Sequence, residues 1–392
     1  MNEWKTVRLG DIFDLQMGKT PDRKNLDFFS TTDNKWISIA DISKANKYIT
    51  ETKEYISDEA VKKSGIKQIP SNTVIMSFKL SIGKTAITKE PMYSNEAIMA
   101  FLSNGKYEVD NDFLYHLFSN KDWSEGSNKA VKGITLNKAS LLEATIPLPP
   151  LAEQKHIAAI LDKTQKIIAE HKQMLQKYDT LIKSRFIEMF GDPVTNTMAW
   201  EVRKLNELFE IIDGDRGKNY PKADELFDTE GYCLFLNAGN VTKTGFVFDN
   251  CQFITKEKDE ILRKGKLKRK DIIVTTRGTV GNIAEYSDNI TFKNMRINSG
   301  MVILRKIKEM NSTFFIYYFR NPAIYGRLIS GTAQPQMPIN NMKNCNVIVP
   351  PLTLQNDFAA FVQQIDKSKF AVQKSLKKTE TLYKSLMQQY FA

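Results

Sequence analysis

The chain has 392 residues, of which 42% are hydrophobic and 26% are charged, and its formal net charge is +11. These values are typical of a folded protein with two or three domains. No apolar run reaches the ~18 residues that a membrane helix needs, and the first residues lack the apolar core of a signal peptide, so we expect a cytoplasmic protein. The few, widely spaced cysteines and histidines do not suggest a disulfide framework or a metal motif. The positive net charge favours a polyanionic partner.

The first segment, residues 1–148, mixes short β runs with a helix. Buried strands are predicted at 73–78 and 98–102, and a turn containing glycine follows the first of them. An aromatic-rich helix is predicted at 112–120. This order of elements predicts a mixed α/β domain.

A long helix is predicted to follow at 149–191. Pro149 and Pro150 mark its beginning, and Gly191 followed by Pro193 marks its end. Its apolar residues recur in alternating steps of four and three, which is the period of a coiled coil. We expect this seam to face a partner helix or subunit, and its residues are Ile157, Leu161, Ile168, Leu175, Tyr178 and Ile182.

The second segment, residues 192–349, repeats the first. The run from Trp4 to Phe13 returns as the run from Trp200 to Phe209, and such a long period indicates a duplicated domain and not a solenoid. Strands are predicted at 271–276 and 301–304, and a helix at 313–321. A local peak of charge lies at 263–270, where six of eight residues are cationic.

A second long helix, residues 350–392, repeats the first helix, and its seam residues are Phe358, Val362, Ile365, Val372, Leu376 and Leu386. The predicted fold class is therefore α+β, with two similar α/β domains joined by two long antiparallel coiled-coil helices. The repeat predicts pseudo-two-fold symmetry. Such symmetry suits a partner with a two-fold axis of its own, and duplex DNA is the leading candidate.

The loops differ strongly between the two segments, although the order of elements is the same. Since loops carry recognition, this difference suggests equal tasks with different specificities. Arginine pairs bidentately with guanine, asparagine and glutamine pair with adenine, and cations neutralise phosphates. The candidate DNA-binding residues are Lys19, Arg23, Lys24, Lys79, Lys84, Lys132, Arg216, Lys218, Asn219, Lys268, Arg269, Arg277, Thr279, Arg296, Gln334 and Gln336.

The sequence contains no catalytic constellation that we can identify. The segment 214–218 lacks the spacing of a phosphate-binding loop, and no dinucleotide-binding glycine motif follows a predicted strand. Asp213 and Asp215 pair two carboxylates, but a turn explains them better than a nuclease site does. We therefore expect a non-catalytic chain without a metal site. The alternatives are a coiled-coil adaptor that does not bind DNA and, less favoured, an enzyme with its own nuclease or methyltransferase activity.

The chain resembles the specificity subunit of a Type I restriction–modification system over essentially its full length. The resemblance is carried by the run from Ile146 to Gln154 that enters the first long helix and by Met189 to Pro193 at its end. The pattern at 4–12 and the run from Gly18 to Pro21 also fit. The second copy departs from the family pattern, because Leu354 replaces the usual acidic residue before the glutamine.

The resemblance implies two target-recognition domains, 1–148 and 192–349, each reading one half of a split, asymmetric DNA sequence. It implies that the helices 149–191 and 350–392 dock two methyltransferase subunits, which bind S-adenosylmethionine and methylate adenine. It further implies restriction subunits that translocate and cut DNA with ATP and Mg²⁺. This chain would supply sequence recognition and assembly, and would bind no cofactor itself.

Overall fold

The structure is a computed structural model that describes residues 4–79, 81–123, 129–130, 133–134 and 136–391. The chain divides into two compact units. Unit 1 comprises Met1–Lys172 and Lys374–Ala392, and unit 2 comprises Gln173–Gln373. Each unit therefore contains one globular segment and one part of each long helix. Within the described residues, no helix is both long enough and apolar enough to cross a membrane.

The globular part of unit 1 contains mixed sheets with helices between the strands. Its strands are β1 (Lys5–Arg8), β2 (Phe13–Met17), β3 (Asn34–Ile37), β4 (Tyr48–Ile49), β5 (Glu54–Ile56), β6 (Val74–Ser77), β7 (Thr85–Thr88), β8 (Tyr93–Ser94), β9 (Ile98–Ser103), β10 (Lys129–Ala130), β11 (Gly133–Ile134) and β12 (Thr145–Leu148). Its helices are α1 (Leu9–Ile12), α2 (Ile39–Lys44), α3 (Asp58–Ser64), α4 (Asn111–Asn120) and α5 (Lys138–Glu143), and the long helix α6 (Leu151–Phe190) follows. The main sheet has the strand order β2-β9-β6-β7-β4, a second sheet has the order β5-β3-β8, and β1 pairs with β12.

Unit 2 repeats this plan. Its strands are β13 (Val202–Lys204), β14 (Phe209–Asp213), β15 (Cys233–Leu236), β16 (Val241–Thr242), β17 (Gly245–Phe246), β18 (Phe253–Ile254), β19 (Ile272–Thr275), β20 (Ile283–Glu285), β21 (Met295–Ile297), β22 (Met301–Lys306) and β23 (Asn346–Ile348). Its helices are α7 (Leu205–Leu208), α8 (Lys256–Ile261), α9 (Ser312–Phe319), α10 (Pro322–Tyr325), α11 (Ile339–Lys343) and the long helix α12 (Leu352–Phe391). The main sheet has the order β14-β22-β19-β20, a second sheet has the order β18-β15-β21, and β13 pairs with β23 as β1 does with β12.

The predicted strands and helices are confirmed, with shifts of one or a few residues at their ends. The apolar runs predicted at 73–78 and 271–276 form β6 and β19, which are buried along their whole length. The predicted helices 112–120 and 313–321 are α4 and α9, and their first turns are capped by the side chains of Asp110 and Asn311.

Both long helices predicted from the coiled-coil period are present, at 40 residues each. Gly191 ends α6 in the left-handed conformation, with φ of +71°, and its N–H bonds to the carbonyl of Ile187 at 2.8 Å. Each seam residue predicted in the two helices lies at a buried or half-buried position, and they are Ile157, Leu161, Ile168, Leu175, Tyr178, Ile182, Phe358, Val362, Ile365, Val372, Leu376 and Leu386.

The two helices run antiparallel within each unit. In unit 1, Gln165 donates to the Tyr383 hydroxyl at 2.7 Å, and Lys172 pairs with Glu380 at 3.1 Å. Residue numbers therefore rise along α6 where they fall along α12, so the two helices are antiparallel in this unit. In unit 2, Lys369 pairs with Asp179 at 2.7 Å and the rings of Phe358 and Phe186 lie 5.4 Å apart between centroids, so the direction is the same.

The last turn of each long helix completes the core of a unit. Phe190, at the end of α6, packs on Phe314 of α9 with ring centroids 4.7 Å apart, in the core of unit 2. Phe391, at the end of α12, packs on Phe113 of α4 with centroids 5.6 Å apart, in the core of unit 1. These residues occupy equivalent positions in the two repeats. The long helix of each repeat thus ends in the globular part of the other repeat.

Candidate nucleic-acid interface

In both units, one end of the main sheet gathers loops from separate parts of the chain. A glycine follows the first long strand of each sheet, at Gly18 after β2 and Gly214 after β14. A Cβ atom at either position would lie 2.1 Å from a backbone carbonyl oxygen, of Asn95 and Asn298 respectively. Only glycine permits this close approach, so the loop after the strand is held against the loop that precedes the next strand.

In unit 2 this sheet end brings two predicted arginines to the same loop. Asp213 pairs with Val302 and Thr275 pairs with Met301, so β14 and β19 both end where β22 begins. Arg216 donates to the carbonyl of Ser299 at 3.3 Å, and also to the Asp213 carboxylate at 3.0 Å.

The second of these arginines, Arg277, follows β19 after one intervening residue and extends the same sheet end. Its backbone N–H donates to the carbonyl of Gly300 at 3.2 Å, and its side chain is exposed. A further bridge pairs Arg277 with Gln336, from a loop some sixty positions later in the chain. The sheet end thus joins Arg216, Arg277 and Gln336, three residues that the sequence predicted separately.

A short hairpin, β16–β17, flanks the turn that contains Thr279. The Thr279 hydroxyl donates to the carbonyl of Ala238 at 3.5 Å, and the Asn282 amide donates to the carbonyl of Val241 at 2.8 Å. The cleft between turn and hairpin is lined by hydroxyl groups and by Lys243. Lys243 was not among the predicted residues, because nothing in the sequence indicates that its hairpin lies beside the Arg277 turn.

A buried carboxylate holds two cationic loops together. Asp215 is 5% exposed and accepts the backbone N–H groups of Gly217 at 2.9 Å and Arg263 at 2.8 Å. Burial alone would raise the pKa of Asp215, but these backbone hydrogen bonds and the Arg263 charge outweigh it and lower the pKa below its usual value. Asp215 therefore places the exposed side chains of Lys218 and Lys264 on neighbouring loops.

Arg296 is the clearest correction to the predicted site. Its side chain is 3% exposed, and Nε donates to the Asp259 carboxylate at 2.8 Å. The guanidinium also donates to the carbonyl of Lys264 at 2.6 Å. Each of the three guanidinium nitrogens of Arg296 thus donates inside unit 2, so this buried residue stabilises the basic segment and is not exposed at the sheet end.

Two further predicted cations lie away from this sheet end. Lys268 and Arg269 precede β19, whereas Arg277 follows it, so they lie at the opposite end of a strand about 13 Å long. Arg269 donates to the carbonyls of Ser287 and Phe292 and lies over the ring of Tyr286, 4.1 Å from its centroid. The structure therefore does not support grouping Lys268 and Arg269 with the Arg277 surface.

Unit 1 gathers a smaller set of cations at the corresponding sheet end. Lys19 follows β2, Lys79 follows β6 and Lys84 precedes β7, and the strand pairing puts all three at the same end. Lys19 and Lys84 are exposed, and Lys79 is half-buried over the ring of Phe78. Glu96 lies in the same place and accepts a hydrogen bond from Thr20, so the local charge is partly balanced.

The remaining predicted residues differ in whether their side chains are held by other groups of the protein. Arg23 is held by Glu54 through two hydrogen bonds of 2.7 and 2.9 Å, which raise the pKa of Arg23, so it is a structural ion pair. Asn219 is half-buried and donates to a backbone carbonyl at 3.4 Å. Lys132 lies outside the described residues. The predicted residues that are exposed without such restraint include Lys24, Lys218 and Gln334.

The described residues contain no group of three or more His, Cys, Asp or Glu side chains that could hold a metal ion. One cluster of titratable side chains lies in unit 1, where Asp162 of α6 bonds to Lys47 at 2.6 Å and to buried His116 at 2.8 Å. Burial would raise the pKa of Asp162, but the hydrogen bonds from His116 and Lys47 lower it below its usual value. This network ties the long helix to the globular part of unit 1.

Comparisons with known proteins agree with this duplicated architecture. The family model for the Type I restriction modification DNA specificity domain matches twice, at residues 1–177 and 198–381. The chain is 25% identical to the Type I restriction enzyme MjaIX specificity subunit of Methanocaldococcus jannaschii over 387 residues, covering 93% of this chain and 87% of that protein. It is 28% identical to the EcoprrI specificity subunit of Escherichia coli over 376 residues, with the same coverage.

Solved structures share the fold at low sequence identity. The S subunit of a Type I restriction–modification system from M. genitalium matches with a TM-score of 0.59 at 16% identity, covering 100% of this chain and 97% of that one. A chain from a structural study of type I R-M complex assembly matches with a TM-score of 0.63 at 16% identity, covering 100% and 98%. The family model covers most of the chain, in two copies that coincide with the two repeats. The chain therefore belongs to the family of Type I restriction–modification specificity subunits.

Proposed function

We propose that this chain is the DNA-recognition and assembly subunit of a Type I restriction–modification complex. Residues 1–148 and 192–349 act as two target-recognition domains, and each reads one half of a split, asymmetric DNA sequence. The observation that carries this proposal is the repeated sheet end, which gathers exposed cationic side chains in both units and the exposed amide of Gln336 in unit 2. Because the loops there differ between the repeats, the two halves of the DNA sequence should differ as well.

The two long helices provide the surfaces for assembly in this proposal. Two methyltransferase subunits dock on them and supply S-adenosylmethionine and adenine methylation, while restriction subunits supply ATP-driven translocation and cleavage. Apolar side chains exposed on the helices support a docking role. Met174, Leu181 and Ile187 of α6 are 42%, 45% and 49% exposed, and Phe370 of α12 is 69% exposed. Isolated exposed apolar residues are ordinary, but Met174 and Leu181 lie seven residues apart and share one face of α6, and a shared exposed apolar face favours a partner.

The test compares the purified chain with the chain assembled with its methyltransferase partners. Methyl transfer from labelled S-adenosylmethionine, DNA cleavage and gel shifts on duplex DNA are measured for both samples. We expect the chain alone to transfer no methyl group and to cut no DNA, and the assembly to methylate adenine within one bipartite sequence. Methyl transfer or cutting by the chain alone would contradict the non-catalytic role. An assembly that forms without binding DNA would instead identify a coiled-coil adaptor.

A further inference from the structure

Arg277 and Gln336 form one rung of backbone pairing at the sheet end of unit 2. They are antiparallel bridge partners, and the neighbouring Met337 N–H donates to the carbonyl of Thr276 at 2.9 Å. In this type of antiparallel pair, the backbone groups of the two residues do not hydrogen-bond to each other, and their Cα atoms lie about 4.5 Å apart. Side chains of directly paired residues point to the same face. Arg277 and Gln336 therefore project side by side.

Both side chains are free to bind something outside the protein. Arg277 and Gln336 are exposed, and neither side chain has a hydrogen-bond or ion-pair partner within the described residues. The guanidinium groups of Arg216 and Arg23 differ in this respect, because Asp213 and Glu54 already engage them. The rung thus presents an unused guanidinium next to an unused amide.

The backbone beneath this rung is well fixed. Ser330 and Gln336 exchange both backbone hydrogen bonds, at 2.9 and 3.0 Å, so Gln336 is paired on both sides. On the Arg277 side, the Thr276 N–H donates to the carbonyl of Gly300 at 2.8 Å, which joins the turn to the start of β22. Two side chains on such a framework lose little backbone freedom when they bind, which favours specific recognition.

The chemistry of the two side chains matches two different bases. A guanidinium donates two hydrogen bonds to O6 and N7 of guanine, and a glutamine amide pairs with N6 and N7 of adenine. Stacked base pairs are about 3.4 Å apart along the duplex. A pair of side chains rooted about 4.5 Å apart can therefore reach consecutive base pairs in the major groove without crossing.

We infer that Arg277 and Gln336 form a two-base reader in unit 2, in which Arg277 contacts a guanine and Gln336 contacts an adenine of the adjacent base pair. This inference rests on the proposed function and adds to it the identity of two neighbouring bases in one half-site. It makes Arg277 and Gln336 specificity-determining residues, whereas nearby cations such as Lys218 hold the DNA backbone regardless of sequence.

The experiment determines the methylated sequence for the chain assembled with its methyltransferase partners, using methylome sequencing of a host that carries each variant. We expect a guanine and an adenine of adjacent base pairs in one half-site of the parent motif. Arg277→Ala should relax the guanine position alone, and Gln336→Ala the neighbouring position alone. Each loss should reduce discrimination about 5- to 150-fold, equivalent to about 1–3 kcal/mol at 1.4 kcal/mol per factor of ten.

Matched variants separate base reading from folding and from charge. Asn340→Ala alters an exposed amide side chain of the nearby helix α11 that is not on the rung, and should leave the motif unchanged. Arg277→Lys keeps the charge but loses the bidentate geometry, and should relax the guanine position as Arg277→Ala does. Thermal unfolding of each variant should match that of the parent.

Different results overturn the inference and the proposed function. An unchanged motif in folded Arg277→Ala and Gln336→Ala variants would overturn the inference alone, and so would relaxation of two positions that are not adjacent. A parent assembly that methylates without any defined sequence would instead overturn the proposed function, and the two-base reader with it.

Discussion

The side-chain oxygen of Gln154 accepts a hydrogen bond from the backbone N–H of Asp110 at 2.8 Å, which bonds the first turn of α6 to the cap of α4. Gln355 accepts the same bond from Asn311 at 2.9 Å in unit 2. Each glutamine amide also donates to a proline carbonyl at 2.8 Å. Both glutamines are 1% exposed or less, so these bonds are shielded from water. They fix the start of each long helix to the globular part of its unit.

Replacing Gln154 with leucine should destabilise unit 1. The change leaves the Asp110 N–H and the carbonyls of Glu108 and Pro149 without their partner, and each such group costs about 1–3 kcal/mol where it is shielded from water. Chemical unfolding should report the loss. Gln363→Leu is the matched control, because Gln363 is an exposed glutamine on α12 and its replacement should change the free energy of unfolding by less than about 0.5 kcal/mol. Equal stability of the two variants would contradict the view that Gln154 fixes the start of α6 to the globular part of unit 1.

Arg296→Met should lower stability and not specificity. It removes the guanidinium that pairs with buried Asp259, and breaking a buried pair costs roughly 3–5 kcal/mol. Arg263→Met, at a side chain that is 74% exposed, serves as the control. If folded Arg296→Met protein methylated a relaxed sequence at full stability, Arg296 would be a base reader after all.

The stability loss in Arg296→Met should depend on pH. Burial would raise the pKa of Asp259, but the hydrogen bonds from Lys266 and Arg296 outweigh it and lower the pKa below its usual value. A lowered pKa stabilises the folded state above the unfolded pKa of about 3.9, and this contribution is lost as pH falls through the folded pKa. The difference between parent and variant should therefore be full at pH 7 and shrink below about pH 4. A difference that grew on acidification would contradict this assignment.

Ile168→Asp and Leu175→Asp should each disturb the pairing of the long helices. Both residues are half-buried in the seam, and an unpaired charge there costs roughly 2 kcal/mol or more. Thermal unfolding and co-purification with the methyltransferase partners report the effect. Gln173→Asp, at an exposed position on the same helix, should keep the thermal stability and the co-purification of the parent. Unchanged stability together with unchanged co-purification in both seam variants would show that the seam is not an interface.

Lys218 and Lys268 should differ in their effect on the salt dependence of DNA binding. Lys218 lies beside Asp215 at the sheet end, whereas Lys268 lies before β19 at the opposite end. Each phosphate contact contributes about 0.9 to the slope of log K against log salt. Lys218→Ala should therefore lower the slope by about one, and Lys268→Ala should leave it unchanged. The reverse pattern would place the DNA on the other end of the sheet.

Periodicity and repetition made the scaffold predictable from the sequence. The coiled-coil seam, the capping glycine at Gly191 and the buried runs of β6 and β19 each carry a local signal in the sequence. Gln154 and Gln355 carried a weaker signal, since both follow a repeated proline pair, but their hydrogen-bond partners lie about 44 residues away. Local patterns predict elements, whereas contacts between distant residues do not follow from them.

The candidate site was less predictable, because charge alone does not indicate exposure. Arg296 lies between Met295 and Ile297 in a strand, and this alternation predicts that the arginine points away from the core, although Asp259 of α8 pairs with it and all three residues are buried. The basic run 263–270 is one local peak of charge in the sequence, yet Arg263 pairs with Asp215 beside the Gly217 loop while Lys268 lies at the far end of β19. Conversely, nothing local in the sequence predicts that Arg277 and Gln336 share a rung.

The most direct test of the account exchanges residues 1–148 for the same region of a relative with a different DNA motif. The donor should keep a phenylalanine at the position of Phe113, because Phe391 of α12 packs there. The exchanged chain is assembled with its methyltransferase partners, and the methylated sequence is read by methylome sequencing. We expect one half-site to change to that of the donor while the other half-site stays the same. Simultaneous change of both half-sites, or of neither, would contradict independent reading by the two segments.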